Sequence, residues 1–221
     1  MCKSMPSAAT ASLLSRCQSK GPRLALAVAT LLLASPAAAQ DEFAAVREVI
    51  RTCTACHGDG GASKVPENPI LAGQQYYYLY LQLKDFKSGA RKSDIMGPLV
   101  QPLQPEQMKM LAQFFSKQKW PSIGHAADGA NVEIARRAEE SGECISCHLG
   151  DFRGNSAVPR LAGQHREYLQ RTMLDFKNKV RTNAPAMVAL FATFSEQEIA
   201  GLADYLASLT VYQSSQGAEI Q

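Results

Sequence analysis

The sequence predicts an all-α protein built from two tandem, homologous domains. Apolar residues recur at helical spacing, and no segment sustains the alternation of a strand. The second half matches the first at a shift of 90 to 91 residues, so one supersecondary pattern occurs twice. A short Cys/His motif, Cys53-Thr-Ala-Cys-His57 and then Cys144-Ile-Ser-Cys-His148, stands once in each copy.

Residues 1–39 read as a secretory signal peptide rather than part of the fold. Lys3, Arg16, Lys20 and Arg23 make a basic start without acidic residues, Leu24 to Ala34 is an apolar run broken by Thr30, and Ala37-Ala-Ala39 is a small-residue cleavage site. The run is shorter than the roughly 20 residues a membrane span needs. Cys17 follows Leu14-Ser-Arg, which lacks the small residues of a lipoprotein signal. Removing the signal leaves 19 basic against 20 acidic residues, a net charge of −1, so the basic balance of the whole chain belongs to the leader. A near-neutral mature surface argues against nucleic acid as a partner. Cys2 and Cys17 leave with the signal, and every remaining thiol sits in the two motifs. Export predicts a periplasmic protein.

Residues 40–120 are predicted to form the N-terminal domain. Phe43, Val46 and Ile50 keep one face of a helix that delivers Cys53; Leu79, Leu83 and Phe86 mark a second helix, and Met108, Leu111 and Phe115 a third. Pro105 suits a first helical position. Residues 121–130, within a stretch rich in turn formers that begins at Trp120, are predicted to be the linker. Residues 131–221 repeat the pattern: Leu169, Met173 and Phe176, then Ile199, Leu202 and Leu206, the last helix opening on a Ser195-Glu-Gln-Glu198 capping box. The first helix here, near Ile134 to Ala138, is the least defined, because Arg136-Arg-Ala-Glu-Glu140 dilutes its apolar face. The tail from Gln213 is polar.

Cys-x-x-Cys-His is the attachment motif of c-type haem. Two thiols one helical turn apart can add to the two vinyl groups of one porphyrin, and the adjoining His meets the iron. Two copies predict two covalently bound haem c groups, on Cys53, Cys56 and His57 and on Cys144, Cys147 and His148. A shared zinc site is disfavoured by the 87 residues between Cys56 and Cys144, and it leaves each His unexplained. A thioredoxin-like dithiol needs a strand-then-helix setting that the flanks lack. Domains this small are short of apolar core, so each half is expected to need its haem in order to fold.

The repeat also nominates the second axial ligand. Met108, Met110 and Met173 fall opposite Ile199, Gly201 and Leu83, as expected for helix packing, whereas Met96 and Met187 fall opposite one another. Both are predicted in a non-helical stretch between the second and third helices, and both are predicted iron ligands, with core packing as the alternative. His125 has no counterpart and His165 falls opposite Gln75, so both read as solvated. Tyr78 and Tyr168 correspond and read as haem-pocket or core packing. Lys84, Lys87, Arg91 and Lys92 read as a solvated helix face, with a partner or a haem propionate as the other use. Pro69 and Pro159 correspond too, each two residues before Leu-Ala-Gly-Gln, and a rigid Pro carbonyl suits the second ring N–H of an axial His.

Taken together, Cys-x-x-Cys-His, Pro-x-Leu-Ala-Gly-Gln, a helix ending near Asp-Phe-Lys, an Arg-containing loop to Met and a closing helix, all twice over nearly the whole mature chain, resemble the class I cytochromes c. The tandem arrangement resembles the dihaem cytochrome c4 family. Departures are the Gly-Pro after Met96 and Gln104 in place of a better capping residue. The resemblance implies two class I cytochrome c domains packed about a pseudo-twofold axis, and a non-enzymatic carrier of single electrons between respiratory partners. Those partners are a cytochrome bc-type donor and a terminal oxidase or other acceptor, met by transient association with membrane complexes. It leaves one alternative of the same fold, the dihaem cytochrome subunit of a larger dehydrogenase oxidising sulfide or an alcohol. A dihaem peroxidase or gas sensor is a further rival that requires one five-coordinate iron.

Overall fold

The computed structural model describes residues 41–210; the signal-peptide expectation and the polar tail lie outside them. The described chain is helical, and its only β element is an isolated bridge between Asn155 and Val158. The N-terminal half opens with a 3-10 turn, Ala44–Val46, that runs into α1, Arg47–His57. It continues with α2, Tyr76–Ser88, α3, Met96–Val100, and α4, Pro105–Ser116. The C-terminal half contains α5, Gly129–Gly142, α6, Cys144–His148, α7, Arg166–Lys177, α8, Pro185–Phe191, and α9, Glu196–Ser208. Both halves belong to one compact unit.

The periodic residues do what their spacing predicts. Val46, Leu79, Met108, Leu111 and Phe115 form the N-terminal core with Val100, Leu103 and Ala112. Leu169, Met173, Phe176, Ile199, Leu202 and Leu206 anchor the C-terminal core. The capping box closes as expected: Glu198 N–H donates to Ser195 Oγ at 3.2 Å, and Ser195 N–H donates to Glu198 Oε2 at 2.7 Å. Gln104, a weak cap by type, still donates its backbone N–H to Gln107 Oε1 at 2.9 Å.

Three elements differ from the sequence reading. The poorly defined helix is a full 14 residues, with Ala135 and Ala138 completely buried. Its apolar stripe is made of small residues because α5 lies close against α9 at Gly201, where a Cβ would stand 3.0 Å from the Ile134 side chain. The motif helix is also broken in this half only. Glu143 adopts left-handed geometry (φ 50°, ψ 36°) and separates α5 from α6, whereas α1 delivers its motif without interruption. Finally, Met96 and Met187 are helical, in the short α3 and α8, not in a loop. Pro98 and Pro185 lie in the first turns of these helices, where a missing N–H costs nothing and a fixed φ favours the helix.

The linker stretch carries structure of its own. Trp120 is buried with Ile70 and Ala72 in a small third cluster, and the Arg160 guanidinium stacks 4.3 Å from its ring centroid. His125 is only partly solvated: its Nε2–H donates to Asp204 Oδ1 at 2.7 Å. Asp204, buried on α9, also accepts from Asp128 N–H and Asn131 Nδ2, each at 2.9 Å, and so fastens the linker to the last helix. Burial pushes its carboxyl up, but these hydrogen bonds outweigh it and hold the group below the ordinary Asp range. Asp204→Ala should therefore cost roughly 2 kcal/mol in denaturant unfolding, since it takes the buried acceptor away from three part-buried donors. A depressed folded-state value means that the wild-type advantage is full above the ordinary Asp value, about 3.9, and disappears as pH falls through the folded value.

Candidate haem sites and the interface between them

Each motif sits at the C-terminal end of a helix and presents its His inward. His57 and His148 are each 8% exposed, Cys53 and Cys144 are half-buried, and Cys56 and Cys147 are exposed. Cys53 packs against the same core as Met96, and Cys144 against the same core as Met187, so the structure gathers the Cys pair, His and Met of each repeat within one half. Both methionines are half-buried.

His57 Nδ1 lies 2.9 Å from the Pro69 carbonyl oxygen and His148 Nδ1 lies 3.0 Å from that of Pro159. A carbonyl can only accept, so Nδ1 carries the proton in both rings and the lone pair is left on Nε2. Burial also lowers both imidazole pKa values, the carbonyl contact opposing it, which favours the neutral ligand form. Burial pushes the Cys53 thiol up to about 11 and the Cys144 thiol up as well. This donor set fits a c-type haem: paired thiols one turn apart, a neutral imidazole fixed through Nδ1 with Nε2 free, and a thioether in the same half.

The resemblance implies pseudo-twofold packing of the halves, but the sequence reading assigned no residue to the interface between them. His165 is buried, not solvated, and its Nε2–H donates across the interface to Ser63 O at 2.9 Å. Its counterpart Gln75 does the same in reverse, donating to Arg153 O at 3.0 Å. Gln74 binds both backbone groups of Arg160, accepting from its N–H at 2.8 Å and donating to its C=O at 2.9 Å. Gln164 binds Ile70 in the same way, at 2.9 and 3.0 Å. Every one of these contacts has a partner related by exchange of the halves, the signature of pseudo-twofold packing. The signal was present in the matched Gln of Leu-Ala-Gly-Gln and in the pairing of His165 with another long hydrogen-bonding residue.

The basic residues of the Arg loop also differ from a solvated face. Arg91 Nη2 donates to Tyr168 OH at 3.2 Å across the interface, and Arg181 Nη2 donates to Tyr78 OH at 3.4 Å in the reciprocal sense. Both guanidiniums converge on Gln82 Oε1 at 2.9 Å. Burial pushes the Tyr168 phenol up, but the two guanidiniums outweigh it and hold it down at about 7. Among the described residues neither guanidinium has a carboxylate in salt-bridge reach, so the cluster is a cationic setting suited to haem carboxylates. Lys87 is structural: its Nζ donates to Leu103 O at 2.7 Å, as Lys177 Nζ does to Phe194 O at 2.5 Å. Lys84 and Lys92 are exposed.

Comparison with known proteins accords with this geometry. The Cytochrome c family profile matches residues 133–210. The chain is 33% identical over 201 residues to cytochrome c4 of Azotobacter vinelandii, covering 81% of this chain and 95% of that protein. It is 31% identical over 206 residues to a thiosulfate dehydrogenase electron acceptor of Stutzerimonas stutzeri strain A1501, covering 86% and 95%. The crystal structure of reduced recombinant cytochrome c4 from Pseudomonas stutzeri superposes with a TM-score of 0.69 at 32% identity, covering 75% of this chain and 97% of that one. Two helical halves related by pseudo-twofold packing, each with a c-type haem motif, together with end-to-end similarity to these relatives, place the chain in the cytochrome c4 family of dihaem electron-transfer proteins, with two covalently bound haem c groups.

Proposed function

We propose that residues 40–221, exported to the periplasm, form a free carrier rather than an enzyme, with haem domains at 40–120 and 131–221 joined by a linker at 121–130. The observation that carries this reading is the pair of His Nδ1–Pro carbonyl hydrogen bonds at 2.9 and 3.0 Å, which present Nε2 of His57 and His148 as ligands. Cys53 with Cys56, and Cys144 with Cys147, would hold the haems covalently; Met96 and Met187 would close the opposite axial positions. When bound, the haem iron supplies a one-electron ferric/ferrous couple, which a thioether ligand biases toward the ferrous state. The chain's own residues do the rest. The Pro69 and Pro159 carbonyls fix the imidazole rings, the two cores exclude water, and Arg91 and Arg181 offset negative charge at the interface. Were His57 with Met96 and His148 with Met187 to hold the two irons, no coordination position would remain for substrate chemistry.

The donor we propose is a cytochrome bc-type complex and the acceptor a terminal oxidase, each met through a small transient contact. A second reading, as an acceptor for a dehydrogenase, draws on the relative named as a thiosulfate dehydrogenase electron acceptor. Stopped-flow reduction of the mature oxidised protein by a bc-type complex and by a thiosulfate dehydrogenase separates the two. Fast reduction by the first and monomeric elution on gel filtration are expected. Reduction by the dehydrogenase alone, or obligate co-purification with a catalytic subunit, would replace the first reading with the second.

A further inference from the structure

The peptide unit that receives each axial imidazole also reaches the other half. Pro69 C=O accepts from His57 Nδ1–H at 2.9 Å, and the N–H of the same amide, on Ile70, donates to Gln164 Oε1 at 2.9 Å. In the mirror arrangement Pro159 C=O accepts from His148 Nδ1–H at 3.0 Å, and the amide N–H on Arg160 donates to Gln74 Oε1 at 2.8 Å. Gln74 and Gln164 are 4% and 3% exposed, so water does not compete for these bonds. Each amide oxygen is held by a second use: Gln74 Oε1 also accepts from Gln75 N–H and Gln164 Oε1 from His165 N–H, at 2.9 and 3.0 Å.

Resting on the function proposed above, we infer that Gln74 and Gln164 are positioning residues through which each half sets the reduction potential of the other half's haem. An amide whose N–H is bound to a good acceptor becomes a better acceptor at its own oxygen, because hydrogen bonds in series polarise one another. A stronger acceptor at Pro69 O draws the Nδ1 proton of His57, makes the ring a richer donor at Nε2, and favours the ferric state. Gln164 thus lowers the potential of the N-terminal haem, and Gln74 that of the C-terminal haem. The relation is crossed: the residue lies in one half and the effect in the other. Because coupling between sites is reciprocal, a redox change at either iron also changes the strength of the interface bond that its partner amide makes.

The test uses the mature holoprotein with Gln164→Met, Gln74→Met and Gln75→Leu. The last breaks an interface hydrogen bond that avoids both Pro amides, so it reports loosening of the interface alone. Spectroelectrochemistry gives the two potentials, and paramagnetic NMR of the His57 and His148 ring N–H assigns them and senses the Nδ1 bond directly. Gln164→Met should raise the N-terminal potential and shift the His57 signal, Gln74→Met should do so for the C-terminal haem and His148, and Gln75→Leu should do neither selectively. Equal movement of both potentials in each variant, or none, overturns the inference while leaving the carrier function intact. A wild-type protein without two axially ligated haems sinks both. Should Gln164→Met not fold, Gln164→Asn, one methylene shorter and so unable to hold both backbone groups of Ile70, must shift the His57 N–H signal and leave that of His148 in place; an unmoved His57 signal would contradict the relay.

Discussion

Met96→Ala is expected to lower the reduction potential of the N-terminal haem by roughly a few tenths of a volt, within the ~0.8 V range that axial ligands span, and to leave the C-terminal haem nearly unchanged. Met187→Ala should do the converse. The expectation follows from the matched positions of the two residues in the repeat and from their placement in α3 and α8, half-buried against the core that also holds the first Cys of the same motif. Losing the thioether removes the ligand that favours ferrous iron and opens a coordination site to water or an added ligand. Spectroelectrochemistry together with cyanide or carbon monoxide binding reads both effects. A variant that keeps its potential and its sulfur-to-iron absorption would return Met96 to the packing role of Met108, which is 3% exposed in the same core.

The second large effect is on folding. Cys53→Ser with Cys56→Ser should abolish haem attachment in the N-terminal half and unfold that half, with a loss of helical circular dichroism and rapid proteolysis before the linker. The matching Cys144→Ser, Cys147→Ser variant should be less severe. The asymmetry comes from the cores: the N-terminal cluster contains eight buried residues and the C-terminal one fourteen. A domain near 80 residues with so small an apolar core needs the porphyrin as hydrophobic mass. Limited proteolysis with mass spectrometry measures this directly; equal resistance in wild type and the N-terminal variant would show that the protein part suffices.

Much of this was legible in the sequence because the repeat compares each residue with its own counterpart. It singled out Met96 and Met187, and Pro69 and Pro159, from a chain with seven methionines and eleven prolines. Periodicity located the helices whose apolar residues are large. It failed at α5, where Ala135 and Ala138 form the buried stripe and Gly201 admits the close approach, because alanine barely registers as hydrophobic patterning. The helical state of Met96 and Met187 was hidden by their Gly and Pro neighbours, which suggest a loop although Pro is at home in a first helical turn. The residues of the interface were harder to read for another reason. Contacts such as Gln164 to Ile70 and His165 to Ser63 join residues about a hundred positions apart, and polar side chains bear no periodic mark of burial.

The central claim is that each half holds one thioether-linked haem with an imidazole and a methionine sulfur as axial ligands. Haem quantification of the mature protein made in an exporting, maturation-competent host, recorded alongside its oxidised near-red spectrum, tests it most directly. Two haems per chain and sulfur-to-iron absorption of matching intensity are the expected result; a single haem, or two without that absorption, would contradict it.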